Sequence, residues 1–224
     1  MWIVYGILAL AMAEDISIST VDRPTNGASA STVGKGAIQI ETGLQIDTVQ
    51  QSMQYSLPTM LRIGLHEWFE IRPYASVINY DASLTPLSSS GIQGKATLYA
   101  PDTKNMVLGV LASSELDFER GSFNGVLLLD VWKGKWSGWF NTGLSQSYAH
   151  DRSAIMLMGA NYTLPKNQGV FVESTGIVNQ ETSITLESGY YKTFSQFRVD
   201  LYLLKSLTET SQWQFATGLA WRFR

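Results

Sequence analysis

Alternation between apolar and polar residues is the feature that most limits what this chain can become. The stretch AIQIETGLQIDT, residues 37–48, has an apolar residue or threonine at every second position: Ile38, Ile40, Thr42, Leu44 and Ile46. Polar residues or glycine stand between them. Because successive side chains of a β-strand point to opposite faces, this pattern predicts a strand with one apolar and one polar face.

The same alternation recurs along the chain. It is regular in SMQYSLPTMLRIGLHEW (52–68), FEIRPYASV (69–77), FRVDLYLL (197–204) and the chain end WQFATGLAWRFR (213–224). Around residues 106–114, 125–131 and 154–164 both faces carry apolar residues. Strands are predicted there too, without a clear difference between their faces.

Polar breaks divide residues 36–224 into about twelve such strands. Each strand with its connection takes about sixteen residues, which suits membrane-crossing strands of about 9 to 11 residues joined by short turns. Open sheet edges in hydrocarbon would leave backbone groups unpaired at a high energetic cost. We therefore predict an all-β fold, a closed antiparallel up-and-down transmembrane β-barrel. A soluble carrier barrel is the alternative, because alternation does not say which face points inward.

The N-terminal region divides into two parts ahead of the barrel. Residues 1–13, MWIVYGILALAMA, form an apolar run that ends on a small-x-small pattern, and they are predicted to be a signal peptide. Residues 14–35 are rich in Gly, Ser and Thr and show no sustained period. We expect an extended lead-in that either plugs the lumen or trails in the periplasm.

Aromatic residues and the chain end indicate the Gram-negative outer membrane. Trp68, Trp136, Tyr190 and Trp221 fall near proposed turns on one side of the barrel, where interfacial aromatic girdles are expected. The last strand resembles the assembly signal of outer-membrane proteins through Phe215, Leu219, Trp221 and Phe223, although Arg224 follows the last aromatic. Expected partners are outer-membrane lipid and the barrel-assembly machinery.

Composition excludes several other functions. Lys and Arg total 16 against 19 acidic residues, for a net charge of -3, and no basic run suits nucleic acid. Cysteine is absent and only two histidines are present, so neither a metal site nor a cofactor is expected. HDRS, residues 150–153, offers the groups of a lipid hydrolase, but neighbours on one loop tip rarely share a productive geometry. An enzyme is not predicted.

Charged residues on the polar faces are the candidate functional residues. If the apolar sets face lipid, the lumen is lined by Glu41, Asp47, Arg62, Glu70, Arg72, Lys95, Glu173, Glu187, Arg198, Asp200 and Arg222. Such charges would line a passive channel or transporter for small solutes. They would equally form a mutually neutralising ladder in a structural barrel that transports nothing. Both possibilities stay open at this stage.

Two segments carry a family resemblance. The segment 22–45 has an Asp-Arg-Pro lead-in and a Gly-x-Ile-Gln-x-Glu-x-Gly strand. The segment 57–73 has a Leu-Arg-x-Gly-Leu strand that turns tightly into Phe-Glu-x-Arg. Both resemble the outer-membrane proteins of the MetA-pathway phenol-degradation family. The resemblance implies an outer-membrane barrel that passes small molecules, with hydrophobic or aromatic compounds among the candidates.

Overall fold

The chain forms a closed barrel of twelve antiparallel strands in a computed structural model. The structure describes residues 27–49, 52–80, 83–101, 105–116, 121–147, 151–179, 182–208 and 212–223. The predicted signal peptide (1–13) and the first part of the lead-in (14–26) lie outside the described residues. The strands are β1 Ile38–Val49, β2 Ser52–His66, β3 Phe69–Tyr80, β4 Ser83–Tyr99, β5 Met106–Glu115, β6 Ser122–Lys133, β7 Trp136–Ser147, β8 Arg152–Leu164, β9 Gln168–Val178, β10 Thr182–Thr193, β11 Phe197–Ser206 and β12 Trp213–Phe223.

Each strand pairs with its neighbours in sequence, and the first strand pairs with the last. β1 lies antiparallel to β12, from Ile38 opposite Phe223 to Thr48 opposite Trp213. This pairing closes the sheet and removes its open edges. The predicted closed antiparallel barrel of about twelve strands is confirmed. We call the end that holds Ile38 and Phe223 the termini end, and the opposite end the far end.

The two faces of the sheet differ in chemistry as the alternation predicts. Large apolar side chains point outward and stay exposed, as Leu44 (42% exposed) shows on β1. The inward residue Glu41 on the same strand is only 2% exposed. Gln39, Arg62, Glu70 and Lys95 are buried in the same way. The apolar surface therefore lies outside and the polar surface inside, which is the arrangement of membrane barrels and the reverse of a soluble carrier.

Aromatic side chains gather at the termini end. Neighbouring rings contact each other there in the pairs Trp68–Phe69, Trp136–Tyr162, Phe194–Phe197 and Trp221–Phe223. Near the far end, Phe123 and Trp213 are exposed on the outside. This distribution is typical of the aromatic girdles that mark membrane interfaces.

One strand is longer than its sequence indicates. The polar stretch 81–90 predicts a break, yet β4 begins at Ser83 and pairs with β3 through Tyr80, Asn79 and Ile78. Serine and threonine favour turns, but the hydrogen bonds between the backbones of β3 and β4 override that preference.

No helix in the described part of the chain has the length and hydropathy needed to cross a membrane.

Residues 27–37, here called the interior segment, run inside the barrel before joining β1. Gly34 and Gly36 have positive φ angles of 82° and 74°, which side chains disfavour. The backbone N–H of Gly36 donates to the carbonyl of Gly64 on β2 at 2.8 Å. A Cβ atom at Gly64 would collide with the Gly34 carbonyl. The glycines of the two resembling motifs therefore let the interior segment approach the wall closely.

The apolar inner faces of the middle strands have a packing partner. Val107 and Leu111 on β5 and Leu128 on β6 form a buried cluster with Ala30 of the interior segment. These inward residues do not face water, because the interior segment covers them. The blurred alternation in the middle of the chain therefore marks the wall on which this segment packs.

Candidate functional site

Five of the charged residues that were predicted to line the lumen meet in one ionic cluster near the termini end. Arg62 contacts Glu41 at 3.1 Å and Glu70 at 2.9 Å. Glu70 Oε1 also lies 3.5 Å from Arg72 Nε and 3.2 Å from Lys95 Nζ. All five side chains are almost completely buried. We call these residues of β1 to β4 the Glu70 cluster.

The interior segment is held to the Glu70 cluster through its backbone. Val33 N–H donates to Glu70 Oε2 at 2.6 Å, and Lys95 Nζ donates to the Ser29 carbonyl at 3.0 Å. Arg222 of β12 donates to the Val33 carbonyl at 2.6 Å. Part of the charge in the lumen therefore binds the interior segment.

The other end of the interior segment reaches the opposite wall. Asp130 Oδ2 on β6 accepts hydrogen bonds from Ser29 Oγ at 2.7 Å and from Ala30 N–H at 2.9 Å. Asn141 on β7 donates to the Ala28 carbonyl at 2.9 Å. Gly27 lies beside Glu173 on β9. The interior segment thus crosses the lumen from β1–β3 to β6–β9.

Three more of the predicted acids form a second group, here called the acidic wall: Glu173, Glu187 and Asp200. Glu187 on β10 lies directly opposite Glu173 on β9, and both side chains are 2% exposed. Arg198 Nε lies 3.7 Å from Asp200 Oδ2. The acidic wall thus contrasts with the Glu70 cluster, where Arg62, Arg72 and Lys95 outnumber the acids.

A cavity of about 270 Å³ lies near the termini end, between the interior segment and the part of the acidic wall that Glu173 and Asp200 form. Its charged lining residues include Asp130, Glu173 and Asp200, while Arg198 and Lys135 supply positive charge. Its aromatic lining consists of Trp132, Trp136, Trp139, Phe171 and Tyr191. Gly134 and Lys135 of the β6–β7 turn form part of its rim. The cavity therefore combines aromatic surface with an excess of acids.

Two predicted lumen residues stand apart from these groups, and several contacting residues were not predicted. Asp47 is half-buried near the far end, and Arg222 contacts the interior segment. Asp130 and Asn141, which hold the interior segment, were missed. Asp130 is the single acid in the apolar strand SFNGVLLLDVWK. An isolated acid in an apolar strand is the sequence feature that could have identified it.

The groups considered for catalysis or metal binding do not converge in the described residues. His66 is exposed beside the β2–β3 turn, with its ring centroid 5.0 Å from that of Trp68. His150 lies outside the described residues, and Ser153 is on β8. Across the described ranges, no group of three or more His, Asp or Glu side chains is arranged to hold a metal ion.

Comparison with known proteins gives structural similarity alone. No family model matches the chain, and no curated protein matches its sequence. The COG4313 outer membrane channel from Pseudomonas putida F1 is similar with a TM-score of 0.64 and 11% identity, over 91% of this chain and 100% of that chain. The KdgM porin in complex with disordered oligogalacturonate gives 0.63 and 11%, over 83% and 99%. The CymD monoaromatic hydrocarbon channel gives 0.51 and 8%, over 85% and 89%.

These similarities establish that the chain has the fold of outer-membrane channels. At such low identities they do not identify a solute.

Proposed function

We propose that this protein is an outer-membrane channel that passes small solutes along a path narrowed by the interior segment. The observation that carries the proposal is the cavity of about 270 Å³ inside a polar lumen whose outer wall is apolar. A polar lumen gives a solute hydrogen-bonding groups in place of water, while the apolar wall suits lipid.

The proposed orientation follows from the positions of the turns and the termini. Bacterial barrels have short turns at the periplasmic end, and they keep both chain ends there. The two-residue β2–β3 and β6–β7 turns lie at the termini end, which we assign to the periplasm. The outward residues Phe215, Leu219, Trp221 and Phe223 of β12 are exposed, as contacts with lipid and with the barrel-assembly machinery require.

The charges divide the lumen into two regions with different roles. The Glu70 cluster and Arg222 anchor the interior segment on the β12–β4 side. The cavity lies on the β6–β11 side, between that segment and the acidic wall. A solute that enters from the termini end would therefore meet the cavity before the middle of the barrel. The interior segment sets the width of this route.

A structural barrel with a closed lumen is the second candidate. The observation in its favour is the interior segment itself, which contacts β3, β6 and β7 and so spans the lumen. In this case the buried charges stabilise the segment and no solute passes.

Current through planar lipid bilayers distinguishes the two functions. The chain would be measured from residue 14 onward, both intact and with residues 14–35 deleted, after a heat-modifiable shift on gels has shown that each barrel is folded. Current in the intact chain, larger after the deletion, supports the channel. Current only after the deletion supports the closed barrel, and no current in either form refutes transport.

A further inference from the structure

The inner wall of the cavity is covered by aromatic rings that lie over glycines. Trp139 faces Gly159 across β7 and β8, and Phe171 faces Gly189 across β9 and β10. A Cβ atom at either glycine would come closer than 3.0 Å to the ring. Each ring therefore lies flat against the barrel wall in the space that a side chain would fill. This arrangement leaves room in the lumen and gives the cavity an aromatic surface.

The same cavity has more negative charge than its own cations balance. Asp200 is paired with Arg198, whose guanidinium also stacks 3.8 Å from the ring centroid of Tyr191. Glu173 accepts a hydrogen bond from Trp139 Nε1 at 2.8 Å, which is a neutral donor. Lys135 is exposed on the turn at the rim. The lining of the cavity thus holds three acids against two cations.

Glu187 stands next to this lining without being part of it. Its side chain is 2% exposed, and neither carboxylate oxygen has a hydrogen-bond partner among the described residues. It lies directly opposite Glu173 on β9, so two inward acids are neighbours there. Two acids at neighbouring inward positions favour a positive group in the adjoining cavity, next to Glu173.

A further unused acceptor lies in the lining. The side chain of Asn161 donates from Nδ2 to Ser137 Oγ at 3.2 Å, whereas its Oδ1 has no partner among the described residues. Oδ1 can accept an N–H donor but offers nothing to an anion. Aromatic faces also attract cations through their quadrupoles.

From these features we propose that the cavity binds a small organic cation that carries one aromatic ring, such as an arylalkylammonium ion. The ammonium group lies at the acidic wall and the ring lies against Phe171 and Trp139. The cavity volume of about 270 Å³ is just below the range of about 300–1,000 Å³ for drug-sized ligands, so a single ring suits it. This inference rests on the proposed function, because the cavity is a stopping point on the proposed solute path.

Titration calorimetry of the folded protein in detergent at low salt tests the proposal with three probes of equal size. Benzylamine carries a ring and a positive charge, benzyl alcohol a ring alone, and benzoate a ring and a negative charge. We expect benzylamine to bind at least about tenfold more tightly than benzyl alcohol, because it gains a charge-assisted contact. Benzoate should not bind detectably.

Charge-neutral variants locate the site. Glu173→Gln keeps the side-chain shape, and it should weaken benzylamine binding by about tenfold while leaving benzyl alcohol unchanged. Asp151→Asn is the matched control, since it removes one negative charge at an exposed position beyond the cavity. Phe171→Leu removes the ring and should weaken both benzylamine and benzyl alcohol.

Three results would overturn the inference. They are equal binding of all three probes, no binding of benzylamine, and equal losses in the Glu173→Gln and Asp151→Asn variants. Calorimetry needs no current, so the two proposals can fail separately. A conducting barrel that ignores benzylamine refutes only the cation site. A barrel that binds benzylamine but carries no current, with or without residues 14–35, refutes only the channel.

Discussion

Replacing Asp130 by Asn should release the interior segment from the wall of the barrel. Asp130 Oδ2 accepts hydrogen bonds from Ser29 Oγ and from Ala30 N–H at 2.7 and 2.9 Å. Hydrogen bonds to a charged acceptor contribute about 1.5–3 kcal/mol each. Asn offers one neutral oxygen and an N–H₂ group that matches neither donor, so we expect docking to weaken by about 2–3 kcal/mol. The undocked population should rise about 30- to 150-fold, since 1.4 kcal/mol corresponds to about tenfold.

The absence of cysteine from the chain permits a direct measurement of this release. Ala30 is 0% exposed, so a thiol introduced by Ala30→Cys reacts with a maleimide only when the interior segment leaves the wall. The labelling rate would be compared between Ala30→Cys alone and Ala30→Cys with Asp130→Asn, and Asp151→Asn would serve as the charge-matched control. An unchanged rate in a barrel that keeps its heat-modifiable mobility would refute the role of Asp130.

Three further predictions concern the wall and its charges. Glu70→Gln leaves Arg62 and Lys95 buried without their common carboxylate. Urea unfolding in detergent should therefore show that the free energy of unfolding falls by about 3–5 kcal/mol. A decrease as small as that in Asp151→Asn would contradict the role of the Glu70 cluster. Leu44→Arg places a charge on the outward face near the middle of β1, so unfolding from phospholipid vesicles should show that the free energy of unfolding falls by about 2–4 kcal/mol. The control Ser195→Arg, in an exposed turn, should leave it almost unchanged. Equal effects of the two substitutions would argue against a lipid-facing wall. Gly159→Ala forces the Trp139 ring off the wall, so it should destabilise the barrel by about 1–3 kcal/mol and change the tryptophan fluorescence. The control Gly125→Ala has open space around the Cβ position and should leave the fluorescence unchanged. An unaltered spectrum in Gly159→Ala would show that the Trp139 ring does not pack on Gly159.

The barrel was predictable because its information is local. Alternation along β1 assigns Leu44 to one face and Glu41 to the other without reference to any other strand. Repetition of that pattern with short breaks limits the strand number, and the cost of open edges in lipid requires closure. The boundaries of β4 were not predictable in this way, because pairing with β3 keeps a serine-rich stretch in the sheet.

The grouping of the charges was not predictable from the strands taken singly. Glu70 and Lys95 are opposite each other on β3 and β4, but their contact with Arg62 and with the Val33 backbone depends on how the barrel curves. Glu173 and Glu187 resemble any other inward acids in the sequence. Only their register across β9 and β10 shows that two carboxylates face each other.

The barrel, the different chemistry of its two surfaces and the aromatic rim follow from the amino-acid sequence alone, because each results from the two-residue period and from the side chains that lipid tolerates. The position of the interior segment and the pairing of the charges depend on the folded barrel. Those outcomes depend on contacts such as Ala30 with Leu128, and Ser29 with Asp130, between residues about a hundred positions apart. The two-residue period of a single strand does not show which residues distant in sequence come into contact.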